Sequence, residues 1–99
     1  MIFKSPTVGK YIENGAKLVA TIRRKNYYKT GKPVTVKVGD KTFYGKVVTT
    51  APIDLLTLSR YVGYSGFRSV DEWLEEAERL HKAGINPEKF EIVVIEIFR

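Results

Sequence analysis

Cysteine is missing from this 99-residue chain. Its absence excludes disulfides, thiolate metal sites and cysteine nucleophiles, whatever the fold. Glutamine is missing too, and there are only three asparagines, one methionine and one histidine. A scarcity of thermolabile residues beside 28% charged ones is the profile of a heat-adapted protein. No run of about 18 apolar residues occurs, so no helical membrane span is expected. The opening Met1-Ile2-Phe3-Lys4-Ser5-Pro6 lacks the apolar core of a signal peptide. The expected location is therefore the cytoplasm. A 43% hydrophobic share suffices for one packed core, so a single domain over residues 1–99 is expected and disorder is not.

Charge is abundant but unevenly spread. Residues 1–50 hold 11 Lys/Arg against Glu13 and Asp40, a net of +9, and residues 51–99 hold 6 Lys/Arg against 9 acids, a net of −3. The total is +6. Clustered positive charge attracts polyanions and speeds their encounter. The competing reading is a solvated surface whose two halves meet after folding.

Local patterns predict alternating short elements. Ser5 or Thr7 can cap a first helix, Pro6 suits its first turn, and Asn14-Gly15 ends it. Lys17 to Arg23 reads as a strand with Leu18, Ala20 and Ile22 on one face and Val19, Thr21 and Arg23 on the other. A basic, aromatic loop over 24–32 leads to a strand over 34–38, a tight Gly39-Asp40-Lys41 connection and a third strand over about 42–49. Asp54 can cap a short helix. The loop from Arg60 to Phe67 and Arg68 is rich in Gly, Tyr and Arg. Ser69 and Glu72 form a capping box for a helix over about 70–83, with Val70, Trp73, Leu74, Ala77, Leu80 and His81 as its apolar stripe. A last strand runs over 89–99. Four or five strands with interleaved helices predict an α+β fold: a strongly twisted, mostly antiparallel sheet curling toward a small β-barrel with two or three flanking helices.

The sequence offers little for catalysis. His81 lies on an apolar stripe, where a structural role outweighs a ligand or catalytic one. Gly63-Tyr64-Ser65-Gly66 lacks the Lys-Ser/Thr of a phosphate-binding loop. The acids at 71–78 are helical neighbours and read as a solvated face. No metal and no cofactor are implied, and the oligomeric state stays open. The informative group is Lys17, Thr21, Arg23, Arg24, Lys25 and Tyr28, joined by Arg60, Tyr61 and Tyr64 from the second loop. Cations position phosphates while tyrosine rings stack on unpaired bases. The expected partner is RNA or a nucleotide, provided the two segments line one cleft. In the alternative reading the tyrosines fill the core edge.

Gly15-x-Lys17 leading into Thr21-Ile22-Arg23, the Gly39-Asp40 hairpin, the strand Phe43-Tyr44-Gly45-Lys46-Val47, the Gly63–Phe67 loop before Ser69-Val70-Asp71-Glu72, and the closing Val93-Val94-Ile95-Glu96-Ile97 together resemble the ASCH domain of the PUA-like superfamily. The likeness runs over nearly the whole chain. It implies a small β-barrel with a cleft that binds RNA or modified nucleosides. Some members are hydrolases: one group deacetylates N4-acetylcytidine with a Lys, the Thr of a Thr-Ile-Arg segment and a Glu, and another was described as a ribonuclease. Carried over, Thr21 matches the Thr, Arg23 the adjacent basic residue, and Lys17 the Lys, as general base. Lys17 stands four residues before Thr21 where that pattern has three. The Glu position falls near Gly66, so Asp54, Asp71 or Glu72 would have to replace it. A protein-interaction module is the remaining expectation.

Overall fold

The computed structural model describes residues 1–99. The order of elements is β1 (Ile2–Phe3), α1 (Pro6–Glu13), β2 (Leu18–Arg24), β3 (Pro33–Val38), β4 (Lys41–Ala51), α2 (Leu55–Tyr61), a 3₁₀ turn (Val62–Tyr64), α3 (Val70–Leu80) and β5 (Phe90–Phe98). The strands form one sheet in the order β1-β3-β4-β5-β2. β1 runs parallel to β3 and every other pairing is antiparallel. The molecule is thus a small α+β domain with a curled mixed sheet and three helices.

Two local devices produce the curl. The ladder between β4 and β5 shifts register between Val47 and Thr49, and such a bulge bends the strand that carries it. Nearby, β4 and β5 press together at Gly45, where a Cβ would stand 2.0 Å from the Glu96 carbonyl oxygen. Only glycine permits that approach.

Curling brings the two edge strands, β1 and β2, toward one another without pairing them. The sheet is therefore a half-barrel. The Arg23 side chain crosses the gap, donating from Nη2 to the Ile2 carbonyl at 3.0 Å. The sequence reading missed β1 altogether, because two residues carry no periodicity. Their pairing with Lys37 and Val38 is a long-range event.

Alternation along β2 and β5 feeds two hydrophobic cores. Val19, Val93, Ile95 and Ile97 face inward with Phe3, Val8, Ile12 and the valines of β3. Ala20, Ile22, Ile92 and Val94 face outward, beneath Leu58 of α2 and Trp73 and Ala77 of α3. The helix caps follow the sequence. Ser5 accepts from the Val8 amide, and Ser69 from the Glu72 amide. The Glu72 carboxylate returns to the Arg68 amide rather than to that of Ser69. α3 stops at Leu80, three residues before the expected end. His81 leaves helical backbone geometry (φ −116°, ψ 84°) and sets its ring edge-on to Phe90, 5.0 Å between centroids. A tertiary contact here overrides helix propensity.

Candidate functional site

The open edge of β2 borders a largely apolar concavity. Ile97 N donates to Lys17 O and Lys25 N to Lys89 O, so the odd residues of β2 spend their backbone groups on β5. By alternation, the N–H and C=O of Leu18, Ala20, Ile22 and Arg24 point to the free edge. The Tyr11 hydroxyl occupies the Leu18 carbonyl at 3.0 Å. Beside Ile22 lies a cavity of about 230 Å³. The β2 edge forms one wall, Phe3 and Lys4 another, and the Trp73–Leu80 face of α3 with His81 just beyond it the third.

Polar groups enter this apolar hollow in a fixed arrangement. Arg23 Nε donates to Thr21 Oγ1 at 3.2 Å, and its guanidinium carbon lies 4.7 Å from the centroid of the Phe3 ring. Burial lowers the Arg23 pKa, which Tyr28 partly offsets; a guanidinium remains cationic nonetheless. Across the cavity Glu76 accepts from the Ser5 hydroxyl at 2.8 Å and from Arg79. The Arg79 bond, more than the Ser5 bond, holds its carboxyl below the usual range. His81 closes one end. Burial first, then Arg23 and Arg24, push its pKa down, which favours the neutral ring. A half-buried cation, a hydroxyl, a carboxylate and an imidazole thus line one hollow with aromatic walls.

Of the residues expected at a site, Thr21 and Arg23 line this cavity and the other seven do not. Lys17 is exposed at the far end of β2, about 13 Å from Thr21 at the rise of an extended strand. Arg24 is exposed and sits 5.3 Å from the Phe90 ring centroid, facing a neighbouring hollow. Lys25 is half-buried where β2 meets Lys89. Tyr28 packs on the inner core and Tyr61 on the outer one. Arg60 ends α2 in solvent. Tyr64 is exposed, near enough to Tyr11 to raise its pKa after burial has done so. Neither this hollow nor those beside Glu72 and Lys82 is lined by predicted residues of both Tyr/Arg-rich segments. The loop over 60–68 contributes Phe67 instead.

No family model matches the chain, and no solved structure matches it. "Uncharacterized protein 105" of Sulfolobus islandicus rod-shaped virus 1 is 56% identical to it over 97 residues, covering 98% of this chain and 92% of that one. The chain belongs to the family of that viral protein. No helix in this member of the protein 105 family is long and apolar enough to cross a membrane.

Sequence reasoning overlooked Phe3, Lys4, Ser5, Trp73, Glu76 and His81 as site residues. A partial signal existed for the helical ones. Trp73, Ala77, Leu80 and His81 repeat at i, i+4, i+7 and i+8, the spacing of a stripe that faces a core. In the fold this stripe overhangs the sheet edge, so it covers the core and also roofs a cavity.

Proposed function

We propose that this protein is a nucleic-acid-binding domain of the ASCH, PUA-like type, and that it holds one base of an RNA or nucleotide in the Thr21–Arg23 cavity. The observation that carries the reading is the Arg23 guanidinium held against Phe3 beside an unpaired strand edge. A base is planar and presents donors and acceptors along its rim. It stacks on aromatic or guanidinium planes and hydrogen-bonds through its edges. The cavity offers both, with the Ile22 N–H and C=O, the Thr21 hydroxyl and the Glu76 carboxylate at its rim. The excess of cations, +6 over the chain, would draw phosphates to the surface around it.

Trp73, the single tryptophan, lines the cavity and is 3% exposed, so its fluorescence reports occupancy directly. Titration with single-stranded RNA should change Trp73 emission, and log affinity should fall linearly with log salt. Thr21→Val removes one hydroxyl at nearly constant shape. It should weaken binding about fivefold to tenfold, the worth of about 1 kcal/mol for one hydrogen bond. Trp73 emission that no RNA, nucleoside or nucleotide alters would refute the reading.

A hydrolase of N4-acetylcytidine is the second reading, and one observation favours it. Lys4, Thr21 and Glu76 line the same cavity, a Lys, Thr and Glu set in which Lys4 takes the place expected of Lys17. Conversion of N4-acetylcytidine to cytidine, abolished by Thr21→Ala, would support it. No cytidine after prolonged incubation would remove it.

A further inference from the structure

Behind His81 lies a second hollow of about 330 Å³, lined by Arg24, Lys82 and Lys89. No carboxylate lines it. The three ion pairs of the molecule, Lys41–Glu13, Lys46–Glu96 and Arg79–Glu76, involve none of its cations. Three positive groups around one concavity make it attractive to an anion. The walls are also built rather than incidental. Arg24 is steadied over the Phe90 ring, and the chain reverses at Gly84 (φ +90°), whose N–H donates to the His81 carbonyl at 2.8 Å. His81 is a wall of both hollows, so a single side chain is common to the Thr21–Arg23 cavity and the cationic one.

We infer that the Arg24–Lys82–Lys89 hollow is the phosphate subsite of the same ligand, which makes that ligand a nucleoside monophosphate unit, free or within a strand. The inference rests on the base-binding reading of the first cavity. The alternatives for a cationic hollow are a free inorganic anion or no specific anion at all. The shared wall favours a ligand carrying base and phosphate together.

The lone histidine is a built-in reporter. Arg23 and Arg24 from β2 act on its imidazole and Phe90 packs against it, while the other charged groups lining its two hollows are Lys4 before α1, Glu76 from α3, Lys82 beyond the helix end and Lys89 before β5. Burial and the two arginines lower its pKa, so a bound phosphate should raise it again. The test is NMR titration of the His81 ring proton against the four ribonucleosides, their 5′-monophosphates and inorganic phosphate. Some monophosphate should bind about tenfold or more tightly than its nucleoside, as charge-assisted contacts imply, and should raise the His81 pKa. Lys82→Gln with Lys89→Gln should shrink that advantage to about threefold or less. Equal affinity of nucleoside and monophosphate, with the His81 pKa unmoved, overturns the phosphate subsite and leaves the base pocket standing. A His81 response to inorganic phosphate with no nucleoside bound overturns the base reading, and the ligand class falls with it.

Discussion

Arg23→Met is the most exacting test of how fold and site depend on one another. Methionine keeps an unbranched apolar stem against Phe3 but removes every donor. The Ile2 carbonyl then loses the charged partner that spans the two sheet edges at 3.0 Å. Loss of such a bond costs about 1–3 kcal/mol. Loss of the guanidinium over the Phe3 ring adds about 0.5–1 kcal/mol. A total of about 1.5–4 kcal/mol, at roughly 4–8 °C per kcal/mol for a domain of this size, lowers Tm by about 6–30 °C. The damage should start at β1, which is held by two residues of pairing and by Lys37 N donating to Met1 O at 2.8 Å. Native-state hydrogen exchange of the Lys37 amide should therefore quicken about tenfold or more, ahead of amides in the β4–β5 ladder. Arg23→Lys restores the charge without the planar fork and should fall between the two. A Tm within about 2 °C of wild type, with Lys37 protection unchanged, would show that Arg23 does not tie the edges together.

Gly45→Ala drives a methyl into the Glu96 backbone, and overpacking of this kind costs about 1–3 kcal/mol. Gly63→Ala meets nothing and should shift stability by less than about 0.5 kcal/mol; equal Tm values for the two variants would contradict the close approach of β4 and β5. The fold depresses the His81 pKa, so the unfolded chain binds that proton more readily. Stability is then fully present above the unfolded value of 6.5 and is lost as pH falls below it toward the lower folded value. Thermal melts between pH 7.5 and 5 should show this loss, and His81→Phe should flatten it.

Much of the secondary structure was legible because its signals are local. The Ser5 and Ser69 caps, Pro6 at a first turn, the Gly39-Asp40 reversal and the period-two alternation of β2 and β3 each depend on neighbours in sequence. α3 and β1 mark where locality ends. One is shortened by Phe90 and the other exists only through β3.

The candidate site shows the same division. Thr21 and Arg23 share a strand face, so alternation alone placed them together. Their convergence with Phe3, Lys4, Trp73 and Glu76 needed the sheet to curl and α3 to overhang its open edge. The basic, tyrosine-rich loops stood out by composition, but composition carries no distance. In the folded chain Tyr28 and Tyr61 spend their rings on different cores.

The amino-acid sequence by itself determined the class of fold, the surplus of cations and the periodic faces, because propensity, charge and alternation act over a few residues. Tertiary structure alone decided that an edge strand would stay unpaired and that an arginine would bridge to the opposite edge. It alone put one histidine between two hollows. Each of these depends on contacts across tens of residues, whose geometry is set only when the whole sheet closes on its cores.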